Sequence, residues 1–442
     1  MKGINIRNFR CFEEQEICFA KRFNVFIGDN ASGKTAVLNA VRYALSAFFH
    51  GFSDENTRWQ SPIDSDFRVE IGQEGVELPG MPIQIEFTLG EHYANEYDCK
   101  KFRDEFCLEK RSKKNSRALV SGIKSLKSGT SYIYDNLYYK DKTRRFPLPV
   151  FSYFSTEDIH RSGRVSGKQA KLFMSYTNKS SFGYYGCLED NALFELWIRR
   201  LLSLKEGRKN LVEIEIVRKA LIDSLGEGGC NIIQDVHIRP IINKVFFEFI
   251  DGREVELELL SDGYKRLVNI IMNISFRAAL LNKELYQEDA AKESFGTVLI
   301  DEIDMHLHPA LQTLIIKGLK NAFPKIQFIL TTHAPMVLSS IQSNEDNKIH
   351  KLSYSLENGY ELTEVITYGK DVSSIVEVDM GQKPRDLEVD RNLSGLFELI
   401  DNDDFEAAKE KLKEMRDEFG DYLPDLYEAE TMIRFLEPEE DD

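Results

Sequence analysis

Apolar positions along the chain follow two periods, and the switches between them mark out the elements. At the start, Gly3-Ile4-Asn5-Ile6-Arg7 alternates like a half-buried strand, and Phe23-Asn24-Val25-Phe26-Ile27 is a short apolar run suited to a buried one. Gly28 breaks that run. From Lys34 onward, Val37, Leu38, Val41, Leu45 and Phe48 recur at helical spacing, so the pattern predicts a strand, a glycine turn and a helix. Residues 50–150 read as strand-rich connecting structure, with Ile83-Gln84-Ile85-Glu86-Phe87 alternating cleanly. One helical pattern covers about 193–225 and stops at Gly226-Glu227-Gly228-Gly229. Residues 236–260 alternate around the Asp251-Gly252 turn, a hairpin signal. Helix, strand and helix return over 261–328, and 326–330 is one more buried strand. Strands are expected near 349–367, followed by two helical patterns, 393–400 with 405–419, and 426–436. Such alternation of strands and helices belongs to an α/β chain.

Composition adds bounds. A chain of 442 residues is about three times the usual single-domain size, and 42% hydrophobic content with 11% aromatics excludes a mostly disordered chain. The net charge of −16, taken whole, speaks against a nucleic-acid binder. It is unevenly spread, however. Residues 386–442 hold 21 Asp+Glu and 6 Lys+Arg, a net of −15, which leaves the other 385 residues at −1. Within that balanced body, residues 100–145 hold 14 Lys+Arg against 5 Asp+Glu, and 159–188 carry five basic residues and no acidic one. No apolar run approaches the roughly 18 residues of a membrane span, and the first residues lack the apolar stretch of a signal peptide. Six cysteines (Cys11, Cys18, Cys99, Cys107, Cys187, Cys230) include no C-x-x-C pair, which points to reduced thiols and a cytoplasmic location.

Two blocks carry the chemistry. Gly28-Asp29-Asn30-Ala31-Ser32-Gly33-Lys34-Thr35 matches G-x-x-x-x-G-K-[ST] between an apolar strand and a helix. The glycines permit the turn whose backbone N–H groups, from Asn30 to Thr35, surround phosphate oxygens at a helix N-terminus. Lys34 would reach the β- and γ-phosphates, and Thr35 would ligate Mg²⁺. The second block is the apolar strand Thr297-Val298-Leu299-Ile300 ending in Asp301-Glu302. A carboxylate at the carboxyl end of a buried parallel strand lies where such sheets bind ligands, so Asp301 would hold the metal and Glu302 would activate water. ATP and Mg²⁺ are the expected ligands, and an ATPase is the expected enzyme.

Three more blocks set the subclass: Leu260-Ser261-Asp262-Gly263-Tyr264 before a helix, Ile303-Asp304-Met305-His306-Leu307-His308-Pro309 after Glu302, and Leu330-Thr331-Thr332-His333-Ala334-Pro335 at the end of the next strand. Their order and wording resemble the ABC-type ATPase heads of the RecF and SMC kind. The resemblance implies an α/β P-loop head with mixed sheets, an inserted lid region and a C-terminal acidic helical segment. It implies that two heads enclose two ATP molecules, with Ser261 and Gly263 of one capping the γ-phosphate bound by the other; Asp262 stands where the commonest signature has glycine. It also implies that His333 is the switch histidine at the γ-phosphate, where the plain alternative is a structural histidine at a strand end. His306 and His308 look like an H-x-H metal pair, but the family wording accounts for them as a dimer-interface loop. Gln60 falls where such heads place a glutamine on Mg²⁺, with Asp64 and Asp66 competing.

About 225 residues separate Lys34 from Ser261, too few for long coiled-coil arms. The stretch after His333 is too short for the metal-binding module of overcoming-lysogenization-type nucleases. The layout, with Gly369-Lys370-Asp371-Val372-Ser373-Ser374-Ile375 ahead of acidic helices, resembles the PtuA-like ATPases of Septu and retron-associated antiphage systems. That resemblance implies an N-terminal ATPase lobe with a basic insert (1–150), a helical lid insert (151–235), a second ATPase lobe (236–368) and an acidic partner-binding tail (369–442). It further implies slow, regulatory ATP hydrolysis, a homodimer or higher oligomer joined through its heads, control of a separate HNH-type nuclease, and nucleic acid met through the complex. The rivals are a RecF-like repair or replication ATPase without a nuclease partner, and an overcoming-lysogenization-like nuclease.

The charged segments keep two readings each. Lys110, Arg111, Lys113 and Lys114, with Arg161, Arg164, Lys168, Lys171 and Lys179, form either a nucleic-acid track or a solvated loop or dock for the acidic tail; Tyr132, Tyr134, Tyr138 and Tyr139 stack on bases or are plain strand residues. In the tail, Leu393, Leu396, Phe397, Ile400, Phe405, Ala408, Leu412 and Met415, extended by Phe419 and Tyr422, form an apolar face that must be covered by a partner or by the head.

Overall fold

A computed structural model describes residues 1–71, 77–97, 100–112, 123–138, 146–156, 167–175, 179–189, 193–383 and 385–436. They form two compact units, Met1–Ile375 and Val376–Asp442. The first opens with the hairpin β1 (Gly3–Phe9) and β2 (Phe12–Cys18), followed by β3 (Phe23–Ile27) and α1 (Lys34–Ser46). Next come β4 (Ile83–Thr88), β5 (Phe106–Lys110), α2 (Lys124–Tyr138) and β6 (Val150–Phe154). Helices α3 (Phe194–Glu206) and α4 (Leu211–Leu225) precede β7 (Ile233–Arg239), β8 (Lys244–Phe249) and β9 (Glu254–Glu256). The long α5 (Asp262–Tyr286) leads to β10 (Gly296–Ile300), β11 (Ile326–Thr331), β12 (Asn347–Ser355) and β13 (Gly359–Val365).

The fold is α/β with mixed sheets. Its central sheet has the order β13-β12-β3-β11-β10-β6, all parallel except the β12–β13 hairpin. Strands β3, β6, β10 and β11 are buried at every position, as expected for parallel strands covered on both faces. The few polar side chains inside are paired: Asn24 exchanges two hydrogen bonds with the Ala20 backbone, and Gln327 donates to the carbonyls of Met1 and Ala20. Register aligns the strand ends, with Ile300 opposite both Leu330 and Phe154, so the loops that follow share one edge. A second, antiparallel sheet runs β2-β1-β4-β5, and β9-β8-β7 form a small meander around the expected Asp251-Gly252 turn.

Several local expectations are corrected. The helical pattern over 193–225 is two helices, because Gly207 ends α3 and both Arg208 (φ 49°) and Asn210 (φ 46°) turn left-handed before α4. The two pack through a buried ion pair: Arg200 donates to Glu213 Oε2 from Nη2 at 2.7 Å, and Lys283 of α5 reaches the other oxygen. Removing one partner of such a pair costs about 3–5 kcal/mol. Tyr132 and Tyr134 lie on helix α2 and not on a strand; α2 buries Leu126, Thr130 and Ile133, and the Tyr134 hydroxyl donates to Ser53 O at 2.9 Å. Lys110 is no phosphate contact, since it is buried and its Nζ donates to Pro62 O at 2.9 Å and to Asp64 at 2.7 Å; Arg111 pairs with Glu109. Lys113, Lys114, Tyr139, Arg161 and Arg164 lie outside the described residues, as do the side chains of Tyr138 and Lys168.

The second unit is a three-helix bundle of α6 (Leu387–Asp401), α7 (Phe405–Phe419) and α8 (Pro424–Leu436). Leu393, Leu396, Ile400, Ala408, Leu412 and Met415 are buried as the periodicity predicts, but what covers them is Leu426, Ala429 and Ile433 of α8. The apolar face therefore needs neither a partner nor the head to hide it. Phe419 joins this core, whereas Tyr422 is 91% exposed and does not. No helix among the described residues is long and apolar enough to cross a membrane.

Candidate functional site

The chain between β3 and α1 turns through three left-handed residues: Gly28 (φ 144°), Ala31 (φ 65°) and Gly33 (φ 99°). A Cβ at Gly28 would lie 2.1 Å from Leu352 O, and one at Gly33 would lie 2.6 Å from the Phe12 ring, so both positions exclude a side chain on space as well as on φ. Inside this turn the Lys34 Nζ donates to Gly28 O and to Asp29 O, each at 2.8 Å. Burial pulls its ammonium below the ordinary lysine range, against the opposing attraction of Asp301, Asp29 and Glu302. The Ser32 hydroxyl is buried without a hydrogen-bond partner among the described residues. An orphaned hydroxyl, a lysine and helix-terminal amides facing one turn fit a phosphate chain.

Asp301 follows β10 directly. Its Oδ1 accepts the Thr331 hydroxyl at 2.7 Å and its Oδ2 the Thr35 hydroxyl at 3.2 Å. The structure thus gathers Lys34, Thr35 and Asp301, predicted from segments about 270 residues apart. A carboxylate and a hydroxyl suit a hard cation such as Mg²⁺. Glu302 adopts φ 49°, a left-handed conformation unusual for a side-chain-bearing residue, and its amide donates to Thr331 Oγ1 at 2.8 Å. His333 lies two residues beyond the end of β11, its backbone amide donating to Asp304 Oδ1 at 3.3 Å.

Ser261 and Gly263 make no hydrogen bond to these groups. Ser261 is exposed and caps α5, accepting the Tyr264 amide at 3.5 Å. Gly263 is buried, and a Cβ there would meet His306 O at 2.3 Å. Its smallness lets α5 press on the loop after Glu302. Of the Mg²⁺ candidates, both oxygens of Asp66 are taken by Arg10, Tyr43 and the Ile63 amide, and Asp64 pairs with Lys110. Gln60 donates its amide to Leu188 O at 3.1 Å and leaves Oε1 without a partner among the described residues. His308 Nδ1 accepts the Ala310 amide at 3.3 Å as a helix cap.

The sequence did not point to Arg266. It is buried on α5, and Nη2 donates to Asp301 O at 2.6 Å and to Glu302 O at 3.0 Å, fixing the carbonyls on either side of the strained peptide. Its only signal was an arginine one turn into the helix after the Ser-Asp-Gly block, beside Lys265 and sharing the helix with Arg277. Thr331 and Thr332 were read as part of a motif, with no sign of the carboxylates they hold.

A family model described as "AAA domain, putative AbiEii toxin, Type IV TA system" matches residues 23–339. The chain belongs to this AAA-domain family. The match spans every block named above, from the P-loop to His333. Among relatives, the retron Vc95 probable ATPase of Vibrio cholerae is 23% identical over 80% of this chain and 74% of its own length. The Septu protein PtuA of Bacillus mycoides is 42% identical over 24% of this chain and 14% of its own. The expected resemblance to retron-associated and Septu ATPases is therefore met. An SMC head bound to a winged-helix domain of ScpA superposes with a TM-score of 0.44 at 16% identity, over 83% of this chain and 97% of that one.

This AAA-domain protein should not tolerate Gly263→Ala. The added methyl must displace a backbone oxygen, an overpacking that costs about 1–3 kcal/mol, read as a lowered midpoint in chemical denaturation.

Proposed function

We propose that this protein is an ATP-hydrolysing regulatory subunit of an antiphage defence complex, paired through its heads and controlling a separate HNH-type nuclease. The observation that carries the ATPase part is the convergence of Lys34, Thr35 and Asp301 around one glycine turn, beside an orphaned Ser32 hydroxyl. The relatives named as retron ATPase and Septu protein support the defence setting.

In this reading the amides of Asn30 to Thr35 and the Ser32 hydroxyl take phosphate oxygens, and Lys34 exchanges its two carbonyl partners for the β- and γ-phosphates. Thr35 and Asp301 would hold Mg²⁺, which would supply charge neutralisation at the phosphate oxygens. Glu302, held by Arg266 and Thr331, orients and deprotonates the attacking water, and His333 contacts the γ-phosphate. Ser261 is exposed at the N-terminus of α5 and makes no hydrogen bond to its own glycine turn. It completes the site of a second copy, with Gly263 keeping the helix end in place. The nuclease docks on the acidic bundle of 376–442, and nucleic acid is drawn by exposed cations such as Lys124, Lys127, Lys171 and Lys179.

Glu302→Gln should bind ATP without turning it over and accumulate as an ATP-dependent dimer in size-exclusion chromatography. An unchanged elution position with and without ATP contradicts head pairing. The full chain should co-purify with the HNH nuclease, whereas a chain ending at Ile375 should not; retention by the shorter chain would take the docking site off the bundle.

A further inference from the structure

The cations of the acidic bundle are not spread over its surface. Residues 386–442 hold six Lys and Arg beside 21 Asp and Glu, and four of the six, Lys409, Lys413, Arg416 and Arg434, line one cleft of about 340 Å³ between α7 and α8. Glu430 is the one acidic residue that lines it among the described residues. The floor is apolar, made by Leu412 and Ile433 of the bundle core. Lys409, Lys413 and Arg416 are spaced by four and three residues, so they share a face of α7, and Arg434 joins them from the last turn of α8. Like charges at helical spacing oppose a helix, and the segment has acidic residues in plenty to place there instead. Helix stability therefore does not account for the cluster.

One pair is already made inside the cleft. Arg416 Nη2 donates to Glu430 Oε2 at 2.5 Å, and the Arg416 guanidinium lies 5.5 Å from the centre of the Tyr427 ring. Arg434 Nη2 stands 3.8 Å from the other Glu430 oxygen. The hydrogen bond from Arg416, and then its charge, holds the Glu430 carboxyl below the ordinary glutamate range. Arg416 thus neutralises the acid that would otherwise repel an anion. Lys413 and Arg434 are exposed at the mouth, and Lys409 is 4.0 Å from Glu406 in an exposed pair of little strength. Four cations against one carboxylate leave the cleft at +3, within a segment whose net charge is −15.

Charge and size together restrict what fits. The volume lies at the small end of the range for organic ligands, about 300–1,000 Å³. Lysine and arginine at the mouth make strong charge-assisted hydrogen bonds to a phosphate, and the apolar floor suits the body that carries it. A long polyanion fits poorly. Its charges would run beyond the cleft over acidic surface, within the roughly 8 Å that salt leaves unscreened. We propose that the α7–α8 cleft binds a small organic phosphate of nucleotide size, its phosphate on Lys409, Lys413 and Arg434 and its body on Leu412 and Ile433. This second ligand site is built entirely within the bundle. It depends neither on the glycine turn of the head nor on head pairing or a nuclease.

The test is equilibrium dialysis of the four nucleoside 5′-monophosphates and of inorganic phosphate against the full chain carrying Lys34→Ala, which silences the glycine turn. At least one monophosphate should bind saturably with a dissociation constant below about 1 mM. Adding Lys413→Ala and Arg434→Ala should weaken it at least about tenfold, as the loss of two charge-assisted contacts requires. Both side chains are exposed, so the bundle core is untouched by their removal. Lys411→Ala removes the same charge from a residue that lies against Gly395 outside the cleft, and should leave the affinity within about twofold. Inorganic phosphate should bind at least about fivefold more weakly than the best monophosphate, because it cannot cover the floor. No saturable binding below about 5 mM, an affinity unchanged by the Lys413 and Arg434 substitutions, or an equal loss in Lys411→Ala overturns the proposal. Equal affinity for inorganic phosphate overturns the part of the floor. A short single-stranded oligonucleotide that binds more than about tenfold tighter than any monophosphate, and loses that gain without Lys413 and Arg434, gives the cleft to a polyanion and overturns it as well.

Discussion

Asp301 sits at the end of a fully buried strand with the Thr331 hydroxyl on one carboxylate oxygen and the Thr35 hydroxyl on the other. A charged group so placed is tolerated only if its oxygens are satisfied, and here the groups that satisfy it come from β11 and from the start of α1. One side chain thereby fixes the relative position of three elements that the sheet alone would leave free to adjust at their ends. The central sheet exists, in functional terms, to bring those ends together. Its parallel register puts Ile300, Leu330 and Phe154 level, so the loops they feed open on one edge.

Around that point the structure is built to keep two loops rigid. Arg266 holds the carbonyls of Asp301 and Glu302 from α5, and Thr331 holds the Glu302 amide from β11. The strained peptide between them is thus gripped from both sides, which is how a side-chain-bearing residue stays at φ 49°. The same helix carries the exposed Ser261 on its first turn and presses Gly263 on the loop beyond. The exposed start of α5 and the Glu302 residue beyond β10 are in this way joined through Gly263 and Arg266.

The sequence made the glycine turn and the Asp301–Glu302 strand legible because residue type and spacing mark them together: only glycine fits at Gly28 and Gly33, and Lys34 and Thr35 complete the G-x-x-x-x-G-K-[ST] pattern. What it hid depends on contacts between distant segments. Arg266 reads as one cation on a helix until its carbonyl partners, 35 and 36 residues away, are seen. Asp64 and Asp66 looked like metal candidates because ion pairing with Lys110 and Arg10 leaves no local trace. The break at 207–210 vanished into a continuous helical period, and the α2 tyrosines alternated by coincidence with helical burial every third or fourth residue. In the tail the apolar face was plain, but the helix that covers it belonged to a separate pattern. The acidity of the chain is that of a self-contained bundle, and it says little about the nearly neutral head.

Asp301 anchors Thr331 and Thr35 and, in the proposed reading, the metal as well, and the direct measurement is ATP affinity with and without Mg²⁺, in the wild type and in Asp301→Asn. Asparagine keeps the shape and one acceptor oxygen but loses the charge. The wild type should bind ATP at least about tenfold more tightly when Mg²⁺ is present, and Asp301→Asn should keep the metal-free affinity while losing most of that gain. An Asp301→Asn protein with the full Mg²⁺ enhancement would contradict the account at its centre.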